Sequence, residues 1–393
     1  MNKKIIYNGT VITEQRAIRG GAVCIADGLI EAVLDSTPEP GEENTEYIDA
    51  KGSYIAPGFV DIHVHGGGGA EFMCDNVEDV KTVCATHLRH GTTSIVPTTS
   101  SADQEAFIKS AESINRAIDL MKDGPNILGI HMEGPYFAFN QRGAQDPKYV
   151  RNPNPDEYLS ILDEYPNIIR WSIAPELPGA IEMAEKLRER GVQLSIGHSD
   201  ALYDDVIKAY ENGFNSITHF YSCTSSVRRI NAYRHAGIVE AGYYLDGMTV
   251  EVIADGKHLP ASLLKLIYKI KGPDRICLVT DAVGPAGLED VKGELYSKTC
   301  GTNVIVEDQV AKLPDRSAFA GSVATTDRLV RTMVELAGVS VADAVKMAST
   351  TPARLLGVYP RKGSIAAGKD ADIVIFDSNI NVEKVIVSGK VLI

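Results

Sequence analysis

Four histidines stand at the ends of short apolar runs: His63 and His65 in Val60-Asp61-Ile62-His63-Val64-His65-Gly66, His198 in Ile196-Gly197-His198-Ser199, and His219 in Ser216-Ile217-Thr218-His219. Strand side chains alternate, so a His-x-His pair places both imidazoles on one face. Imidazole is the commonest protein ligand for a divalent transition metal. Two carboxylates occupy equivalent places, Glu133 in His131-Met132-Glu133-Gly134-Pro135 and Asp281 in Thr280-Asp281-Ala282. Three to five nitrogen and oxygen ligands without cysteine describe a catalytic metal site with an open position rather than a closed structural one. A carboxylate in the place of Asp281, facing a metal-bound water, takes its proton and passes it to a leaving group. Gly284-Pro285 follows Asp281 instead of a helix, which argues against a capping role. His131 shares the face of Glu133 and reads as supporting structure. Asp61 either orients one of the imidazoles or is uninvolved, and His87 and His90, on a helical pattern, read as surface residues.

These residues must be positioned by the runs that precede them. Apolar runs at 55–64, 94–98, 127–132, 168–174, 193–197, 216–220, 248–254 and 276–280 alternate with amphipathic helical patterns at 77–90, 104–121, 180–190, 203–212 and 260–270. Eight strand-helix units predict an α/β fold, a (β/α)8 TIM barrel whose reactive groups sit at the carboxyl ends of the strands. Candidate ligands on strands one, three, five, six and eight favour a closed barrel over an open sheet. Before it, 4–7, 22–26, 29–34 and 46–49 alternate as short strands around an acidic loop at 37–46; after it, 371–377, 382–387 and 390–393 have the same texture. Neither end buries a core alone, so the two are expected to pair as one small discontinuous β-sandwich domain. The division is 1–55 with 360–393, and 56–359. An irregular β-containing insertion is expected at 283–315, with a hairpin about Glu307-Asp308, and helices at 323–337, 341–349 and 352–356.

The chain has 393 residues, 44% hydrophobic and 23% charged, the composition of a globular protein with a sizeable core. A formal charge of −13 argues against nucleic acid or an anionic membrane as partner. Small phosphates remain compatible with it. Six scattered cysteines form no C-x-x-C pair, which fits reduced thiols in a reducing compartment. With no apolar leader and no run near the roughly 18 residues of a membrane span, the expected location is cytoplasmic.

The motifs Ala56-Pro57-Gly58-Phe59-Val60-Asp61-Ile62-His63-Val64-His65-Gly66, Gly129-Ile130-His131-Met132-Glu133-Gly134-Pro135, Gly197-His198-Ser199, Thr218-His219, Ala254-Asp255-Gly256-Lys257-His258, Leu278-Val279-Thr280-Asp281-Ala282 and Ala320-Gly321-Ser322 resemble those of the amidohydrolase superfamily. Within it the chain is similar over its whole length to the N-acetylglucosamine-6-phosphate deacetylase family. That resemblance implies a primary metal site of Glu133, His198 and His219, with Asp281 as acid and base. His63 and His65 imply a second metal, hence two zinc or iron ions per subunit bridged by Glu133. The implied reaction releases acetate from N-acetyl-D-glucosamine 6-phosphate; the galactosamine epimer or another N-acyl substrate is the alternative, and a non-catalytic scaffold a remote one. The resemblance further implies a homodimer and substrate contacts from Ala144, Gln145, Ser222, Cys223, His258, Phe319, Ala320 and an arginine of the neighbouring subunit. Arg234 aligns best with that arginine, with Arg228 and Arg229 as other candidates. Two departures stand out: Ser222-Cys223 where Asn-Ala is usual, and Gln145 where histidine is common.

Overall fold

The structure, a computed structural model, describes residues 3–38, 44–289 and 291–393. Positions 39–43 of the expected acidic loop lie outside the described residues, as do 1–2 and Asp290 of the insertion. Eight short strands carry the parallel architecture: β1 (Phe59–Val64), β2 (Thr92–Pro97), β3 (Ile130–Glu133), β4 (Ile168–Ile173), β5 (Gln193–Ile196), β6 (Phe214–Ile217), β7 (Thr249–Val252) and β8 (Ile276–Leu278). They are rich in valine and isoleucine, and every residue of β1, β2, β3, β7 and β8 is buried. Burial on both faces is what parallel strands covered by helices require. β1 pairs with β2, and β3 to β8 form one sheet in chain order, all in parallel register. The carboxyl ends within each sheet therefore gather on one side. A parallel bridge joins Thr98 to His131, and backbone N–H groups of Asp281 and His65 donate to His63 O (2.9 Å) and Ala282 O (2.8 Å). Those bonds tie the ends of β2 to β3 and of β8 to β1.

Two expected strands are divided. The run at 55–64 breaks at Gly58, whose backbone lies so close to Thr93 that a Cβ would fall 2.1 Å from its Oγ1. Tyr54–Pro57 thereby leaves β1 and pairs antiparallel with Ile373–Phe376 from the other end of the chain. The run at 127–132 likewise splits, Asn126–Ile127 pairing with β2 and Ile130–Glu133 with β4. Helices Pro155–Glu164 and Ile238–Tyr244 were not anticipated; the first opens with Asn154 as cap and proline in its first turn.

The chain ends share one eight-stranded sheet. Its hub is Lys3–Ile12, which pairs with Ala17–Ala26, Thr45–Asp49 and Tyr54–Pro57. The expectation of a sandwich meets a single, branched hydrogen-bonded sheet. Ile6, Val11, Ile25, Ile48, Ile55, Ile373, Ile375 and Ile386 form a core of its own, separate from the main one. The insertion contains the expected hairpin within a four-stranded antiparallel sheet of Gly293–Ser297, Thr302–Glu307, Val310–Lys312 and Phe319–Ser322. Among the described residues no helix is long and apolar enough to cross a membrane.

His87 is not a surface residue. It is buried on helix Val77–Arg89, with Nε2 donating to Gly66 O at 2.9 Å just beyond His65. His90, half-buried, faces Asp327 at 3.2 Å. Burial pushes the His87 pKa down to about 4. Between pH 6.5 and 4 the unfolded chain therefore binds a proton that the folded protein excludes. The contribution is whole above pH 6.5 and is lost as pH falls towards 4, on the order of 3 kcal/mol. Thermal unfolding should show a midpoint falling across that window, and His87→Gln, which keeps an N–H for Gly66, should flatten the fall. An unchanged slope in the variant would contradict this assignment.

Candidate metal centre and substrate pocket

His63 is the penultimate residue of β1, His65 follows it directly and Glu133 ends β3; His198, His219 and Asp281 lie two or three residues beyond β5, β6 and β8. The last three have φ of +47°, +29° and +46°. A non-glycine residue in this left-handed region is uncommon, and such strain concentrates at functional sites. Here it turns the chain sharply at each strand end. The result brings the groups His63, His65, Glu133 and Glu133, His198, His219 together, the potential ligand atoms of each group within 4.8 Å of one another. Glu133 is common to both.

The hydrogen bonds fix the tautomers. Nδ1 of His65 faces Thr98 O at 3.2 Å, Nδ1 of His198 faces Gln141 O at 2.8 Å, and Nδ1 of His219 faces Ser222 O at 3.0 Å. His63 Nδ1 faces Glu251 Oε2 at 3.0 Å. A carbonyl or carboxylate oxygen only accepts, so each Nδ1 carries the proton and each Nε2 offers a lone pair. Those lone pairs converge: Nε2 of His63 and His65 are 3.2 Å apart, and Nε2 of His198 and His219 are 3.0 Å apart. Glu133 Oε1 lies 3.2 Å from both His198 and His219, and Oε2 lies 3.4 Å from His65. Acceptors so assembled need a cation among them, and the imidazole and carboxylate set suits a divalent metal. Charges agree with that reading. Burial acts against ionisation of Glu133, but the neighbouring imidazoles of His63, His198 and His219 hold its carboxyl well below the usual range.

Asp281 Oδ1 stands 3.3 Å from His65 Nε2 and 3.5 Å from His63 Nε2. Despite burial, both imidazoles keep its pKa below the ordinary value, so it is ionised and able to accept a proton. His131 turns away from the cluster, Nδ1 to Thr98 Oγ1 (3.2 Å) and Nε2 to Ser172 Oγ (2.7 Å). Asp61 touches no imidazole. It accepts from Thr280 Oγ1 at 2.5 Å and from the backbone of His63 and Thr280 at 3.3 Å, fastening β1 to β8. Burial lifts its pKa to about 7.

Three residues close to the site were not anticipated there: Glu251 and Arg170, a fully buried ion pair, and Asp255, which holds His258. The signal available was a charged residue inside an apolar run, Val250-Glu251-Val252 and Ile169-Arg170-Trp171. Buried charges are rare unless paired.

Above the cluster opens a cavity of about 420 Å³. Ala144, Gln145, Ser222, Cys223, His258, Phe319 and Ala320 all line it, along with His65, Glu133, His198, His219 and Asp281. Gln145 is already committed: its amide nitrogen donates to Glu133 Oε2 at 2.7 Å and its oxygen accepts from Ser101 N at 2.8 Å. His258 Nδ1 donates to Asp255 Oδ2 at 2.8 Å, and its ring lies 4.5 Å from that of Phe319. Gly143 has φ +55°, and a Cβ there would fall 2.6 Å from Cys223 Sγ. None of Arg228, Arg229 and Arg234 lines this cavity. Arg234 is exposed on the hairpin of Arg228–Ile230 and Tyr233–His235, as is Arg229, while Arg228 pairs with Asp200 at 2.9 Å.

Residues 54–392 match the model of the amidohydrolase family. The chain is 32% identical to an N-acetylgalactosamine-6-phosphate deacetylase of Escherichia coli O157:H7, over 97% of each chain. It is 31% identical to an N-acetylglucosamine-6-phosphate deacetylase of Bacillus subtilis, over 98% of this chain and 96% of that one. Among solved structures, the N-acetylglucosamine-6-phosphate deacetylase of Pasteurella multocida superposes with a TM-score of 0.91 at 28% identity, over 99% of both chains. A mutant of the Mycobacterium smegmatis deacetylase in complex with N-acetyl-D-glucosamine-6-phosphate superposes at 0.90 with 29% identity, over 100% of both. Sequence, fold and the convergent histidines agree: the chain belongs to the amidohydrolase family.

Proposed function

We propose that this chain hydrolyses the acetamide of N-acetyl-D-glucosamine 6-phosphate, giving D-glucosamine 6-phosphate and acetate. The observation that carries the reading is the meeting of four imidazole lone pairs, Glu133 and Asp281 at the base of a pocket of about 420 Å³, a volume suited to one small polar ligand. The full-length similarity to deacetylases of N-acetylhexosamine 6-phosphates supports the substrate class. Glu133, His198 and His219 would hold one metal ion and His63, His65 and Glu133 a second, zinc or iron. The bonds joining β2 to β3 and β8 to β1 support a closed (β/α)8 barrel, with the two chain ends as its appended domain. The setting is a cytoplasmic homodimer, in which the exposed Arg234 is free to reach a neighbouring subunit's pocket.

Bound metal supplies Lewis acidity at the amide carbonyl and makes water a stronger acid. Asp281 takes the proton of the attacking water on its carboxylate. As the C–N bond breaks it returns that proton to the nitrogen, so a neutral amine and acetic acid form; the acid's remaining proton passes to the released amine, giving acetate and the ammonium form, and the enzyme is unchanged. Asp255 accepts from Nδ1 of His258 and so orients the ring; the form with a second proton on Nε2 is the one that donates to the sugar phosphate. An arginine of the partner subunit gives the phosphate a fork of donors.

The phosphate assignment predicts that kcat/KM falls by roughly 10²-fold when the 6-phosphate is removed from the substrate, as hydrogen bonds to a charged group are worth about 1.5–3 kcal/mol each. Equal values for N-acetylglucosamine and its 6-phosphate would remove His258 and Arg234 from recognition. A second reading, the galactosamine epimer, is favoured by the Escherichia coli relative. The ratio of kcat/KM for the two 6-phosphates decides between them.

A further inference from the structure

We propose that Glu251 is a positioning residue that fixes both candidate metal-ligand groups through a single carboxylate oxygen. β7 contributes no ligand, yet Glu251 at its third position is fully buried beneath the cluster. Its Oε2 accepts from His63 Nδ1 at 3.0 Å and from the backbone N–H of His219 at 3.0 Å. One atom thus touches the group of His63, His65 and Glu133 and the group of Glu133, His198 and His219. Toward His63 the carboxylate fixes the tautomer, aims the Nε2 lone pair into the cluster and makes the ring a better donor to a metal. Toward His219 it satisfies the N–H of a residue at φ +29°, where the chain has left the regular ladder of β6. Its other oxygen pairs with Arg170. Arg170 is anchored in turn to Gln193 Oε1 (2.7 Å), Ser195 Oγ (2.9 Å) and Ile62 O (3.3 Å), so the pair is braced by β1, β4 and β5. The competing account is that Glu251 merely neutralises Arg170.

This inference rests on the cluster holding metal and is independent of the substrate. The double variant Arg170→Met with Glu251→Met removes both charges together and leaves neither one orphaned, a replacement that buried ion pairs often tolerate. Chelator-stripped protein titrated with zinc alone should show affinity weakened ten- to a hundredfold at both positions, with the unfolding midpoint near that of the wild type. Arg170→Met with Glu251→Gln keeps a neutral acceptor for His63 and His219 and should recover part of the loss. If both doubles bind zinc like the wild type, Glu251 serves Arg170 only and the inference fails. A wild type that binds no zinc fails the metal reading instead, and takes this inference with it. Should the doubles not fold, nitrogen NMR of zinc-loaded, ¹⁵N-histidine-labelled wild type decides: His63 must carry its proton on Nδ1, and a proton on Nε2 overturns the proposal.

Discussion

Replacing Asp281 by asparagine should lower kcat/KM by about 10²- to 10⁴-fold, the usual worth of a positioned general acid and base, while metal content stays at the wild-type value. The backbone of residue 281 is held independently of its side chain: its N–H donates to His63 O at 2.9 Å, and its carbonyl accepts from Ser322 N at 2.8 Å. Asparagine therefore keeps the place and shape of the group but cannot take a proton. The carboxylate starts ionised because His63 and His65 outweigh the burial that opposes its charge. It sits beside the His63 and His65 imidazoles and opens on the cavity, so a proton held there is in reach of a bound amide. Steady-state kinetics with metal analysis tests this: the loss should fall on kcat, with KM little changed. A rate within threefold of the wild type would remove Asp281 from the proton path.

The second large effect is expected at Glu133. Its two oxygens reach all four imidazoles, Oε1 toward His63, His198 and His219 and Oε2 toward His65. Glu133→Gln removes the negative charge shared by both ligand groups and sets an amide among the imidazole lone pairs. Metal content should fall below one ion per chain. Lewis acidity is worth several kcal/mol of transition-state stabilisation, and each 1.36 kcal/mol is tenfold in rate, so turnover should fall roughly 10³-fold or more. Elemental analysis of purified protein checks the first part and initial rates the second. Full metal occupancy in the variant would show that Glu133 is not a shared ligand.

The residues at strand ends were legible because two periodicities are simple. A His-x-His at the end of an apolar run puts two rings on one face, and parallel strands bring such ends to one side. What the sequence concealed depends on contacts between distant segments. Gly58 divides one apolar run between two sheets because Thr93 crowds it, and no local pattern announces that neighbour. His87 looked like a polar position on an amphipathic helix, but its partner is a carbonyl 21 residues earlier. Gln145 lines the cavity, but no local pattern announces that its amide also spans Glu133 and Ser101. Glu251 and Arg170 sit inside apolar runs that read as plain core strands, although two opposite charges in buried strands must find each other. The positive φ of His198, His219 and Asp281 is the least readable feature, since glycine, the usual marker of such backbone, is absent from all three positions.

The most direct test of the account is acetate release by the purified, metal-loaded protein given N-acetyl-D-glucosamine 6-phosphate, with the freed amine measured alongside. Equal amounts of acetate and amine are expected, abolished by stripping the metal and restored by adding it back. A folded, metal-loaded protein that releases no acetate from either the glucosamine or the galactosamine 6-phosphate would contradict it.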